Sequence, residues 1–219
     1  MASSRTVEDL LRAEYFEILP DIRRALLETE TRVRAALLDL SLKLEPFERV
    51  VIASRVKECE SAINSLRRRQ PLGLFDSEKA AEYSLSALRD LAAVRVMAFP
   101  QGRVEAAHAT LKPILSNWTS DPIPAVDDSE LPLAHKYFGK WSPVVQITAE
   151  IQIVSLLIGL FWEVEHAAIY KPTPSLHGVR TDVVVQRRDE VLAALKSFGS
   201  EFEMALTGRK GTGASHDGE

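Results

Sequence analysis

One stretch of the sequence, residues 91–99, constrains the fold more than any other, because it is apolar at every position except Arg95. A run of this kind is typical of a strand that is buried on both faces of a sheet. Residues 50–56 are short, largely apolar and β-branched, and residues 144–153 alternate between polar and apolar side chains. Both patterns also predict strands.

Helical patterns surround these strands. Residues 6–19 and 21–44 carry apolar side chains at three- and four-residue spacing, which predicts two amphipathic helices divided at Pro20. Helices over 58–69, 103–115, 155–170 and 181–206 and a loop over 117–132 are predicted in the same way. Helices on both sides of a few strands make an α+β or α/β sandwich. We expect N-terminal helices over 1–44, a core with its C-terminal helix over 45–206, and a disordered tail over 207–219.

Composition narrows the possible partners. A formal net charge of −4 argues against DNA as a partner. The single cysteine, Cys59, excludes an intrachain disulfide, so the cytoplasm is the expected location. The longest apolar run, residues 151–162, is too short to span a bilayer, and no membrane association is expected.

Charged residues gather at the ends of two predicted strands. Arg55 and Lys57, with Ser61 beyond them, lie where a strand passes into a helix. Such cations and free backbone N–H groups can hold a polyphosphate, although a solvated basic strand end gives the same pattern. Asp90 directly precedes the buried strand and could bind Mg²⁺ or cap the strand. Arg95 requires a partner, which is either a structural carboxylate or a ligand phosphate.

Glu150 and Gln152 lie on one face of the strand predicted over 144–153. A carboxylate in that position could accept a proton from a ribose hydroxyl as a general base. The alternative is the exposed face of an edge strand.

The predicted helix over 155–170 carries a cluster of polar and aromatic side chains. Trp162, Glu165 or His166, and Tyr170 share one of its faces. Glu-x-Glu-His lacks the second histidine of a zinc-protease helix, so that function is not supported.

Four segments occur in a fixed order: RVKECES (55–61), DLAAVRV (90–96), EIQI (150–153) and WEVEHAAIYK (162–171). Together they resemble the synthetase domain of the RelA/SpoT family over residues 45–172. The resemblance implies an α+β fold with a mixed β-sheet of about five strands, flanked by helices on both sides, with N- and C-terminal helices. It also implies the family reaction, in which the β,γ-diphosphate of ATP passes to the 3′-hydroxyl of GDP or GTP. Mg²⁺ as cofactor and a homo-oligomer are implied as well.

The same resemblance assigns roles to individual residues. Asp90 and Glu150 would be catalytic and hold Mg²⁺, with Glu150 activating the acceptor hydroxyl. Nucleotide-binding roles are implied for Arg55, Lys57, Ser61, Arg95, Gln152, His166 and Lys171. Glu165 would help to shape the acceptor side.

The match fails at the family motif G-Y-x-S-x-H, whose tyrosine stacks on guanine. LPLAHKYFGKWSPVV occupies the interval, and either His135 or residues 137–139 could be the remnant. Val154 and Ser65 stand where the family has an arginine and a lysine; one of the arginines at 67–69 could replace that lysine.

These departures leave two functions open. One is an active GTP/GDP pyrophosphokinase that makes the alarmone (p)ppGpp or a related product. The other is a degenerate member that binds a nucleotide or a protein partner without catalysis.

Overall fold

The computed structural model describes residues 5–125, 132–144, 146–166 and 186–212. In chain order its elements are α1 (Val7–Ala36), α2 (Leu38–Leu42), β1 (Arg49–Val56), α3 (Cys59–Arg67), β2 (Ala92–Phe99), α4 (Gln101–Leu111), β3 (Thr119–Ser120), β4 (Ala134–Gly139), β5 (Ala149–Ser155), α5 (Leu156–Glu165) and α6 (Arg188–Thr212). Three short 3₁₀ helices, Pro71–Gly73, Ser77–Glu82 and Leu85–Ala87, connect α3 to β2.

The strands form one mixed sheet in the order β1-β2-β5-β4-β3. Strands β2 and β5 are parallel, and the other neighbouring strands in this sheet are antiparallel. Helices α1 and α4 pack on one face, whereas α5 packs on the other and contacts α6. The predicted α+β fold with a five-stranded mixed sheet and terminal helices is confirmed.

Alternation along β2 and β5 divides the apolar side chains between two cores. Val94, Val96, Ile151 and Ile153 point into the larger core, beneath α1 and α4. A smaller core lies between the other face and helices α5 and α6, and it contains Met97, Val154, Ile158 and Leu192.

Glycine allows α5 to approach the sheet closely. A Cβ atom added at Gly159 would lie 2.6 Å from Met97 Sδ, closer than two non-bonded atoms can approach. The side chains that α5 presents to β2 are therefore held near the smaller core.

Pro20 does not divide the N-terminal region into two helices, so that prediction was wrong. Helix α1 begins at a capping box formed by Thr6 and Asp9 and continues through Pro20. Pro20 is exposed, so water can satisfy the carbonyl that its missing N–H leaves free. Buried side chains on both sides of the proline, including Tyr15 and Ile22, hold one continuous helix against the sheet.

Two strand predictions need correction. The strand predicted over 144–153 begins only at Ala149, and β4 was not predicted. Strand β5 lies between β2 and β4, so the edge-strand alternative for Glu150 was wrong.

The C-terminal part of the chain is described in pieces. Residues 167–170 of the helix predicted over 155–170 lie outside the described residues, as do 213–219 of the predicted tail. The proposed boundary at residue 207 falls within α6, and the division into segments stays a prediction.

Within the described part of the chain, no helix is long and apolar enough to cross a membrane.

Candidate active site

Strand alternation brings the predicted site residues onto the sheet face that carries the smaller core. Arg95 and Gln152 lie opposite each other in the parallel β2/β5 register, and Arg95 Nε donates to Gln152 Oε1 at 3.0 Å. Arg55 is paired with Ala93, and Glu150 is two residues from Gln152, so both share this face.

Lys57 and Asp90 meet at the end of β1. The Lys57 backbone N–H donates to Leu91 O at 2.8 Å, which fixes the chain as it leaves the strand. The Lys57 ammonium then pairs with Asp90 Oδ2. Asp90 Oδ1 is buried and finds no hydrogen-bond partner among the described residues. That oxygen has the properties of a cation ligand, because a buried carboxylate oxygen without a partner is unfavourable.

Glu150 is only 3% exposed, an unusual position for a carboxylate in a strand. Its Oε1 accepts from the Gln152 side-chain amide, and its Oε2 lies 3.8 Å from Lys136 Nζ. Burial raises the pKa of Glu150; the positive charge of Lys136 opposes that rise, and the negative charge of Asp90 adds to it. A buried carboxyl with a raised pKa is typical of a general base or acid.

A polar pocket of about 450 Å³ contains both carboxylates. Its lining combines three acids and three basic side chains with two apolar residues: Asp90, Asp121, Glu150, Arg69, Arg89, Lys136, Ala87 and Phe138. Carboxylates beside several cations suit a metal ion and phosphate groups together. We call this space the acidic pocket.

A larger cavity of about 580 Å³ lies beside it, between the sheet and α5. We call it the strand cavity; its polar and aromatic lining includes Arg55, Arg95, Gln152, Trp162 and His166. This volume is in the usual range for a nucleotide-sized ligand. Gln152 lines the strand cavity and contacts Glu150 of the acidic pocket, so the two spaces meet at this contact.

Arg95 has protein partners within the strand cavity. Its guanidinium lies 3.7 Å from Glu163 Oε1 and 5.9 Å from the centre of the Trp162 ring. Burial lowers the pKa of Arg95, as does the positive charge of Arg55. A structural partner is therefore present, and the two arginines still line one cavity in which an anion or an aromatic base would be attracted to them.

Other predicted residues lie in different places. Ser61 lies in the first turn of α3. Within the part of the chain that the structure describes, it lines neither the acidic pocket nor the strand cavity. Lys171 and Tyr170 lie outside the described residues. Glu165, by contrast, lines the strand cavity, where it is buried and accepts a hydrogen bond from Arg188 Nε at 2.7 Å.

The three arginines at 67–69, at the C-terminal end of α3, lie in different surroundings. Arg67 pairs with Glu8 at 3.1 Å, and Arg68 donates to Ser65 Oγ at 3.3 Å. Arg69 lines the acidic pocket, so it is the one placed to substitute for a lysine at position 65.

The region in which a remnant of the G-Y-x-S-x-H motif was predicted forms strand β4. The side chains of β4 alternate between the two faces of the sheet. Lys136 and Phe138 face Gln152 and Glu150, whereas His135 and Tyr137 point to the opposite side. Sequence reasoning missed Lys136, and it also missed Arg89, Asp121 and Arg188. Arg89 could have been suspected because it adjoins Asp90; the others depend on contacts between distant segments.

No protein-family model matches the sequence, and no curated protein matches it. Solved structures do match. The small alarmone synthetase 1 from Bacillus subtilis is 18% identical, with 89% of this chain and 98% of that chain covered and a TM-score of 0.60. The chain has the fold of the small alarmone synthetases.

Further structures agree with this fold assignment. Small alarmone synthetase 2 from Bacillus subtilis is 16% identical over 86% of this chain and 97% of its own, with a TM-score of 0.57. A GTP pyrophosphokinase family protein from Streptococcus pneumoniae is 16% identical over 89% and 98%, with a TM-score of 0.53. Synthetase 1 has also been solved with its product pppGpp and with AMPCPP.

Proposed function

We propose that this chain is a nucleotide pyrophosphokinase that transfers the β,γ-diphosphate of ATP to the 3′-hydroxyl of a guanosine or related nucleotide. The observation that carries the proposal is the contact between Glu150 and Gln152, which joins a nucleotide-sized cavity to a pocket of carboxylates and cations. The bound structures of small alarmone synthetase 1, with pppGpp and with AMPCPP, support nucleotides as the ligands of this fold.

ATP would place its base and ribose in the strand cavity. Arg55 and Arg95 both line that cavity, and a guanidinium can stack on the face of a purine. The triphosphate would then pass the Gln152–Glu150 contact into the acidic pocket, where Arg69, Arg89 and Lys136 offer positive charge.

Glu150 would act as the base. The 3′-oxygen of the acceptor forms a bond to the β-phosphorus of ATP while the bond from that phosphorus to the α,β-bridging oxygen breaks, and AMP leaves. The 3′-hydroxyl proton passes to Glu150. Transfer of this kind depends chiefly on positioning and on charge neutralisation, and the basic side chains around the pocket would supply both.

Asp90 and Glu150 would hold Mg²⁺. Mg²⁺ binds one or two protein carboxylates together with substrate phosphates, and Asp90 Oδ1 is a buried acceptor without a hydrogen-bond partner among the described residues. The residues therefore fit the ion, which when bound would neutralise charge on the transferred diphosphate. Lys57 would hold Asp90 in place through Oδ2.

A second function, nucleotide binding without catalysis, is favoured by one observation. Val154, which stands where the family has an arginine, is fully buried in the smaller core, with no charge to offer a phosphate. The tyrosine motif is also missing, which weakens recognition of guanine more than it weakens transfer.

An acceptor panel separates the two functions. The protein is incubated with Mg²⁺, γ-labelled ATP and one of GDP, GTP, GMP, ADP or ATP, and products are resolved by ion-exchange chromatography. We expect a labelled product with at least one guanosine acceptor and matching AMP release, both lost in Glu150→Gln. ATP binding without product for every acceptor would instead establish the binding function.

A further inference from the structure

We propose that the side of the sheet opposite the active site carries a zinc-type metal site formed by Glu105 and His108 of α4 and His135 of β4. Each residue offers one ligand atom, and the three atoms lie within 4.8 Å of one another. Two imidazoles and one carboxylate form a ligand set that binds Zn²⁺ and similar transition metals in proteins.

Two of the three ligand atoms are already close enough to bind one metal ion. His135 Nε2 lies 3.8 Å from Glu105 Oε1, and two atoms each about 2.1 Å from one metal are at most about 4.2 Å apart. The two imidazole rings stack with centroids 3.5 Å apart and an interplanar angle of 14°, and because an imidazole nitrogen binds a metal in the plane of its own ring, one ring rotates out of this stack when an ion binds. Ligand atoms of a tetrahedral zinc site are about 3.4 Å apart, so this rotation shortens the distances between the three ligand atoms by up to about 1.4 Å.

Neighbouring groups already orient two of the ligands. His108 Nε2 lies 2.7 Å from the Tyr137 hydroxyl, and this contact fixes the orientation of the ring. Gln101 Nε2 donates to Glu105 Oε1 at 3.1 Å. Contacts of this kind, from an outer residue to a ligand, fix ring orientation at protein metal sites.

A neutral imidazole is the form of histidine that binds metals. Burial lowers the pKa of both His108 and His135, and the positive charge of Lys112 lowers both further, whereas the negative charge of Glu105 opposes this. The Glu105 side chain is 40% exposed and that of His135 is 15% exposed, so an ion can reach the cluster from solvent.

The site is distinct from the one that would hold Mg²⁺. Alternation along β4 places His135 on the opposite side of the sheet from Lys136, the residue that lies 3.8 Å from Glu150. A metal bound here would join α4 to β4 on the face of the sheet opposite the acidic pocket. It would stabilise β4, the strand that places Lys136 and Phe138 in that pocket.

Metal titration tests the site. The untagged full chain is stripped with EDTA, desalted, and titrated with Co²⁺ in excess Mg²⁺, following the visible absorption of cobalt, and Zn²⁺ is then added as a competitor. We expect one equivalent of Co²⁺ to bind, to be displaced by Zn²⁺, and to bind at least about tenfold more weakly in H108Q, H135Q and E105Q.

Thermal unfolding gives a second readout. At free Zn²⁺ of about 100 times Kd, the unfolding equilibrium constant of the wild type falls about 100-fold, and this stabilisation is lost in H135Q. E105Q is the variant that separates loss of metal binding from a folding defect. The Glu105 side chain is 40% exposed, and its replacement by glutamine removes no buried group.

Matched controls are H177Q, H216Q and D90N, which keep all three ligands and should bind Co²⁺ as the wild type does. The proposal is overturned if the stripped protein binds no Co²⁺ or Zn²⁺. It is also overturned if H108Q, H135Q and E105Q bind as well as the wild type, or if the control variants lose binding equally.

Discussion

Replacement of Glu150 by glutamine removes the proposed base while preserving its volume and its contact with Gln152. General-base catalysis contributes about 10²–10⁴-fold to rate, which corresponds to about 3–5 kcal/mol of transition-state stabilisation at about 1.36 kcal/mol per tenfold change. Because Glu150 is 3% exposed, bulk water cannot easily take over its role. We therefore expect kcat to fall by about 10²–10⁴-fold in Glu150→Gln.

The same substitution should not destabilise the fold at neutral pH. Burial raises the pKa of Glu150 above its ordinary value, so the folded protein holds the proton more tightly than the unfolded chain does. Stability from this group is present at low pH and is lost as pH rises from the unfolded pKa through the folded pKa. The glutamine variant has no such loss, so its free energy of unfolding at neutral pH should equal or exceed that of the wild type.

Two assays examine these expectations together. Product formation from γ-labelled ATP gives kcat, and urea denaturation at acidic and neutral pH gives the free energy of unfolding. A variant with wild-type kcat would refute the role of Glu150 as base. A variant that is inactive and also much less stable than the wild type at neutral pH would show that the substitution acts through the fold.

Other substitutions test the neighbouring groups. Asp90→Asn should abolish transfer and lower stability by about 1–3 kcal/mol in urea denaturation, because it leaves the largely buried Lys57 ammonium without its anionic partner; unchanged activity would contradict the proposed Mg²⁺ role. Arg55→Ala should weaken binding of a non-hydrolysable ATP analogue more than binding of GDP by calorimetry, and equal losses would contradict its assignment to ATP. Lys136→Met should raise the pKa of Glu150, because the ammonium lowers it, so the acidic limb of the kcat–pH profile moves to higher pH; an unmoved limb would show that Lys136 does not act on Glu150.

Much of the fold could be predicted from local patterns. The apolar run at 91–99 became β2, and the residues at 50–56 lie within β1, as periodicity indicated. Strand β4 was missed because the polar residues His135 and Lys136 precede its buried residues Tyr137 and Phe138. Its sequence therefore shows neither a continuous apolar run nor an alternation of apolar and polar residues, which are the two patterns that indicate a strand.

The sequence indicated which residues form the candidate site, but it did not indicate which of them contact one another. Alternation placed Glu150 and Gln152 on one face, yet burial of Glu150 depends on β4 and β2 flanking β5. The ion pair between Lys57 and Asp90 joins segments that lie far apart in the sequence. Propensity and periodicity describe neighbours along the chain, so they cannot reveal such pairs.

The most direct test of the central claim is ³¹P NMR of the reaction mixture with ATP, Mg²⁺ and the best acceptor from the panel. Transfer of the β,γ-diphosphate predicts one AMP for each acceptor that gains a 3′-diphosphate, with two new coupled phosphorus resonances on the product. Formation of ADP with a single added phosphate, or no change in the acceptor while ATP remains bound, would contradict it.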